Sequence, residues 1–399
     1  MNGVTSVNEQ TRQQAFLMYI LAAAAFLVLF QAYLIAPLIP ALSVSFHAPV
    51  AQLGLLVPAY TIPYGLSSIV YGPLSDRIGR KPILLTLFGL LALSCLLIPF
   101  SSNVSQLLVI RIVAGLATGG IVPVSVSLIG DVFPYEKRGR QIGLLFGAMA
   151  GGISFGASLG IFFNPILGWR NEFLIAGVLS LGVFMLAVIK HRLFPGYKAK
   201  PAETSPVALI KDSWHLLGSG NGRRLYSYIF LNGMFHSGVF SWLGYYFKTK
   251  YGLADQAIGL ALLGYGIPGM LLGVTIGKLA DRYGRQKIVP VGLALGALAA
   301  GTLAFHLPVW WSTAAVTILS LGYDMTQPLF AGMVTSVGSE KVRGLAVGLS
   351  ACLLFLGYGT GSYLFQTLIS VGLNISFTLF SGMELVLGLF ALKVFKGYR

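Results

Sequence analysis

The stretch GPLSDRIGRK at 72–81 returns as GKLADRYGRQ at 277–286, a step of 205 residues. The same step carries Arg138-Gly139 onto Arg343-Gly344, and Gly143, Gly152 and Gly156 onto Gly348, Gly357 and Gly361. Chance supplies one short match; it rarely supplies three groups in one register. The chain therefore reads as two copies of one unit. Within the repeated stretch, Asp76 and Arg80 are four apart and share a face on a helix or helical turn. Gly79 would permit a turn that side chains obstruct, and Gly72 a close helix approach.

Composition says what surrounds those copies. Of 399 residues, 56% are apolar or aromatic and 10% are charged, against about 25% charged in a soluble domain. Too few charges remain for a watery surface, so lipid is the main solvent. The 27 basic and 12 acidic residues give +15. A nucleic-acid binder would gather its basic residues into a groove or stripe, whereas these form short clusters between apolar runs. Cys95 and Cys352 both lie inside apolar runs, which excludes a thiol metal site and argues against a structural disulfide. No cofactor motif is present: there is no G-x-x-x-x-G-K-[ST] for ATP and no H-E-x-x-H for zinc.

A membrane span needs about 20 mainly apolar residues. Twelve runs qualify, near 14–40, 52–71, 83–101, 105–130, 141–164, 171–189, 225–247, 257–277, 288–307, 310–335, 345–370 and 373–392. The expected fold is all-α and polytopic, with twelve transmembrane helices in two pseudo-symmetric halves, 14–189 and 225–392. A polar tail at 1–13, a linker at 190–224 and a tail at 393–399 complete it, with a surface helix expected near 206–217. The first run is too long for a signal-peptide core and reads as a retained helix. With the N-terminus inside, every Lys and Arg except Arg111, Arg170, Lys248 and Lys250 falls on the inner face, Lys341 and Arg343 included. That bias puts both termini in the cytoplasm. Parallel repeats of this kind enclose a central pathway.

Gly72, Leu74, Asp76, Arg77, Gly79, Arg80 and Lys81 match the signature of the major facilitator superfamily between its second and third spans. Gly277, Leu279, Asp281, Arg282, Gly284 and Arg285 form a degenerate second copy. Arg111 and Gly115 match the family's Arg-Gly element in the fourth span. The resemblance covers the whole chain and is nearest to bacterial drug-efflux members of the proton-antiport type. It implies a secondary transporter in the cytoplasmic (inner) membrane, not an enzyme. The transporter would move a small amphipathic or aromatic molecule by alternating access, with proton-coupled efflux. It further implies a conformational latch of Gly72, Asp76, Arg77, Gly79, Arg80, Lys81, Asp131, Asp281 and Arg285. Two family features are missing: the fifth span has GAMAGGISFGASLG without Pro, and residues 14–40 hold no Asp or Glu. A facilitator or symporter for a sugar, organic acid or lipid-like solute therefore stays open, as does a non-transporting sensor on the same scaffold.

Polar residues inside the spans mark the pathway. Asp324, in SLGYDMTQPLF of the tenth span, can face a cavity and carry a proton, or be hydrogen-bonded into helix packing; Gln327 and Pro328 follow it. Arg111, near the outer surface, can pair with an acid, bind an anionic group or snorkel outward. The repeat sets Gln31 against His236. In the family spans one, four, seven and ten line the cavity, so these two would meet across the pseudo-axis. Phe240, Trp242, Tyr245 and Tyr246, with Tyr33 and Tyr323, suit an aromatic wall or a membrane-interface belt. The glycines of the fifth and eleventh spans suit close helix packing. Glu384, in the peripheral twelfth span, reads as a packing contact. A monomer suffices, because one chain holds both halves.

Overall fold

The structure is a computed structural model that describes residues 2–194, 206–334, 337 and 343–396. The middle of the expected linker, Lys341 and the last residues of the expected C-terminal tail lie outside them. The described chain is all helix and turn. Helix α1 (Asn2–Leu34) takes in nearly all of the expected polar tail. It stops at Leu34, short of position 40, because Pro37 cannot continue the hydrogen-bond ladder; α2 (Ile39–Phe46) restarts beyond it, with Pro40 in its first turn, where the missing N–H costs nothing. The second run comprises α3 (Val50–Leu53), a 3₁₀ turn and α4 (Pro58–Ile78). The rest of the first half is α5 (Arg80–Leu97), α6 (Val104–Thr118), α7 (Ile121–Val132), α8 (Tyr135–Leu167) and α9 (Trp169–Ile189).

After α10 (Pro206–Gly218), helices α11 (Gly220–Ser241) and α12 (Leu243–Tyr251) occupy the seventh run. The eighth is α13 (Asp255–Leu263) and α14 (Ile267–Tyr283), and the ninth α15 (Arg285–Leu303). The tenth is divided into α16 (Val309–Asp324) and α17 (Gln327–Val334), followed by α18 (Arg343–Ile369) and α19 (Leu373–Val394). Helix α11 begins inside the expected linker, since Arg223 and Arg224 are exposed on its first turns and need no lipid. Among the described residues, ten helical stretches are long and apolar enough to cross a membrane. Neither α11–α12 nor α16–α17 is one of them: α11 carries Arg223, Arg224, Asn232 and His236, and the tenth run is broken after Asp324.

Packing repeats along with the sequence. Helix α1 lies along α8 as α11 lies along α18, and α5 along α9 as α15 along α19. Between the two repeats, α4 crosses to α18 and α13 to α8. The repeated turns Gly79 (φ 105°) and Gly284 (φ 86°) reverse the chain in one residue, a backbone region that side chains rarely adopt. On α8, Gly152 and Gly156 press against the α1 backbone at Phe26 and Phe30; on α18, Gly357 and Gly361 press against α11 at Phe230 and Met234. These are the close contacts expected of small residues in lipid. Gly72, Gly143 and Gly147 depart from that expectation, because open space surrounds each of them. All three lie toward the end that carries the Gly79 and Gly284 turns, the motif end.

At the opposite, far end the two repeats meet closely. Gly244 packs on Pro37, and Gly54 lies under Trp242 and Gln366. Asn164 Nδ2 donates to Asp255 Oδ2 at 3.1 Å, and Gln366 Nε2 donates to the Ala51 carbonyl. These two bonds are repeat-related: each runs from the far end of one repeat's fifth run to the start of the other's second. Farther toward the motif end the fit is looser: a Cβ at Gly348 would lie about 4.0 Å from Ile69.

Candidate substrate pathway and coupling site

The first repeat holds a fully buried cation fixed mainly by backbone. Arg111 on α6 is 0% exposed. Its Nη1 donates to Gln31 Oε1 (2.9 Å) and the Gln31 carbonyl (3.3 Å), Nη2 to the Ala32 carbonyl (3.3 Å) and Nε to the Leu56 carbonyl (3.3 Å). The guanidinium also lies over the Tyr60 ring, 4.3 Å from its centroid. Those carbonyls sit at helix interruptions, the last turn of α1 and the 3₁₀ turn before α4, where the regular ladder leaves acceptors over. Arg111 thus braces α1, α4 and α6. It neither snorkels outward nor pairs with a carboxylate among the described residues.

Gln31 and His236 do not meet as the repeat suggested. Gln31 is claimed by Arg111, while the His236 ring packs edge-on against Tyr323 (4.4 Å) and Phe235 (5.2 Å), 3% exposed, its Nδ1 without a hydrogen-bond partner. Trp242 is fully buried, with Nε1 donating to the Ser362 carbonyl, so it stands behind the pathway as packing. Tyr245 is half-buried at its edge.

The seam between the repeats is aromatic. Ala23, Phe26, Phe30 and Tyr33 form a half-buried stripe along one face of α1. Tyr33 contacts Phe240 across the seam at 5.6 Å, and Phe240 lies on Tyr265 at 3.9 Å. The Tyr323 and Tyr358 hydroxyls are hydrogen-bonded, and Tyr64 stacks on Phe355 across the seam at 4.0 Å. Sequence reasoning missed Tyr265, Tyr358, Tyr60 and Tyr64, because a tyrosine in an apolar run carries no sign of the side it faces.

Asp324 ends α16 beside this seam, half-buried, where the helix breaks before α17. Oδ2 accepts from the Ser320 hydroxyl at 3.3 Å. The carboxylate lies against Gly269 of α14, where a Cβ would come within 3.0 Å of both oxygens. Gln327, one turn on, has a buried Oε1 with no partner. The seam therefore combines an aromatic lining with one carboxylate at a helix break, a group able to carry a proton or face a cation.

At the motif end, Arg80 ion-pairs with Asp76, donates from Nη1 to Ser75 Oγ (2.8 Å) and from Nε to Asp131 Oδ2 (3.2 Å). The clamp joins the α4–α5 turn to the end of α7. Arg77 is exposed, and Lys81 is half-buried. The second copy differs: Arg285 lies against Gly332, Asp281 joins no ion pair among the described residues, and the position 205 beyond Asp131 is Ser336.

Two further residues bear on the chemistry. GISFG at 152–156 has the Gly-x-Ser-x-Gly spacing of a nucleophile elbow. Ser154 nevertheless lies inside α8, its hydroxyl donating to the Tyr265 carbonyl, with no strand-to-helix turn to expose it. Glu172, in the first turn of α9, is only 6% exposed and neither oxygen has a partner. It escaped notice because the sixth run was expected to begin at 171, which would leave a carboxylate there in water.

A lipid-embedded helical bundle in repeat-related halves, closed at one end and lined by aromatics with a carboxylate, defines a membrane transport protein. The chain belongs to the major facilitator superfamily, whose sequence profile matches residues 21–362 and again 225–398. It is 26% identical to the uncharacterized MFS-type transporter YwfA of Bacillus subtilis, over 78% of this chain and 75% of that one. It is 22% identical to the quinolone resistance protein NorA of Staphylococcus aureus, over 90% and 92%. The bacterial homologue of the human lysosomal transporter Spinster, solved inward-facing and unoccupied, superposes with a TM-score of 0.78 at 15% identity, covering 97% of this chain and 98% of that one. The protein is a multi-pass secondary transporter that works by alternating access and catalyses no chemical change.

Proposed function

We propose that this chain is a proton-coupled exporter of small amphipathic or aromatic molecules, built from twelve spans in two six-helix halves, 14–189 and 225–392, joined by the 190–224 linker. Both termini face the cytoplasm of an inner membrane, and the monomer is the working unit. The motif end is then cytoplasmic, and the described state is closed to the outside. The observation that carries the reading is Asp324, a carboxylate at a helix break beside the Tyr33, Phe240, Tyr265 and Tyr323 lining. The rings supply apolar contact and π faces for the solute. A solute and a proton that compete for one carboxylate are exchanged across the membrane, because the site is loaded by one and emptied by the other on opposite sides. The similarity to a resistance protein over most of the chain supports outward movement of the solute.

Proteoliposomes loaded with a fluorescent aromatic probe test it. Asp324→Asn should abolish accumulation driven by an imposed pH gradient while retaining probe binding; unchanged pH-driven flux in that variant overturns the reading. The second reading, symport or facilitation of another solute, draws on the lack of Asp or Glu in residues 14–40. In the same vesicles it gives flux of solute in the direction of the proton gradient, or flux that ignores it.

A further inference from the structure

Behind the closed far end lies a carboxylate that the exchange at Asp324 does not use. Glu172 is 94% buried, the complement of its 6% exposure, in the first turn of α9. One of its oxygens faces Gly160 of α8, at about 3.6 Å from where a Cβ would sit, and the Leu34 side chain of α1 occupies the same notch. Leu34 is the last residue of α1, three residues before the Pro37 that seats Gly244 of the other repeat. Asn164, one turn beyond Gly160, makes the bond to Asp255 across the seam. Glu172 thus backs two cross-repeat contacts of its corner.

Among the described residues no cationic side chain pairs with it. Arg170, two residues away on α9, donates instead to the Pro99 and Ser101 carbonyls and Ser45, over the Trp169 ring. Helix α1 brings Tyr33, which faces Phe240, and α5 brings Cys95, buried on the Arg111 side. The described ionisable side chains of α8, Arg138 and Arg140, lie at its motif end. Asp255 is already paired with Lys248 at 2.9 Å. An ionised carboxylate buried without a partner is among the costliest arrangements in a protein.

We infer that Glu172 is a proton-binding residue of the far-end gate, neutral while that end is closed and ionised when it opens to water. This rests on the proton-coupled reading above and adds a second titrating position on the side from which protons would enter. A group that binds its proton in the closed state and releases it in the open state makes closure more favourable as pH falls. Protons arriving from outside therefore drive the outward-open protein back toward the described state.

Spin labels at Val44 and Val371, both exposed at the far end and in different repeats, report the opening. In the full chain, in vesicles, the long-distance population should grow as pH rises. Glu172→Gln should stay closed throughout the same range, and Glu172→Asp should keep a pH response. A Gln variant whose distances follow pH like the wild type overturns the inference. So do wild-type distances that do not move with pH, whether or not the Gln variant folds. Asp324→Asn separates the two readings: if it loses pH-driven flux while Glu172→Gln still opens with pH, the exchange reading stands and the gate residue falls. If Asp324→Asn transports normally while Glu172→Gln stays closed, the reverse holds.

Discussion

Arg111 shows how a buried cation can be held by the backbone around it. In sequence it is a lone cation in a lipid-spanning run, the usual sign of a substrate or ion site. In the structure it donates four hydrogen bonds, three of them to backbone carbonyls. A planar fork reaches several carbonyls at once, which a lysine cannot do. Arg111→Lys should therefore lose at least one charge-assisted bond, about 1.5–3 kcal/mol each, and lower the thermal midpoint measured in detergent. If Arg111 instead bound an anionic solute group, the lysine variant would keep its stability and change only solute affinity. Asp324 and Glu172 contrast in the same way. The depth of Asp324 within an apolar run made it legible, whereas the burial of Glu172 depends on Leu34 and Gly160 folding over it and left no trace in local spacing.

At the scale of elements, the repeat made the positions of helices and turns legible, and contact decided the rest. The glycines at 143, 147, 152 and 156 look alike on one helical stripe. Only the last two touch α1; the first two face open space. Gly156→Val should thus overpack the α1–α8 contact, at about 1–3 kcal/mol, and depress thermal stability, while Gly143→Val should be close to neutral in the same melting experiment. Helix ends were read least well. Pro37 ends α1 early, and α11 starts early on exposed arginines, because apolar content marks where lipid is, not where backbone hydrogen bonds begin.

For the whole molecule, two interfaces matter: the far-end seam, closed by Pro37 on Gly244 and by the repeat-related Asn164–Asp255 and Gln366–Ala51 bonds, and the motif end, where Gly72, Gly143 and Gly147 face open space. A transporter of this class moves its two halves about the solute, so a side chain wedged into one seam biases the entire cycle. Gly244→Leu would drive a side chain into Pro37. In a chain carrying Phe240→Cys, a position buried in the described state, it should raise labelling of that thiol by impermeant reagents and slow turnover without altering the fold measured by circular dichroism. Unaltered labelling would mean that this seam does not gate. The chain order fixed which repeat each seam residue belongs to; the state of the seam is a property of packing and was not legible in the residues.

The two helical runs that fall short of a free-standing span, α11–α12 and α16–α17, carry polar groups that include His236 and Asp324. Insertion into a bilayer during synthesis is governed by the apolarity of each emerging segment. These two runs are therefore the weakest substrates for the translocon. The main contact of α11 is α18, made more than a hundred residues later. Inserted alone, α11 should therefore enter the bilayer poorly in a translocation assay, and better once the chain extends through α18.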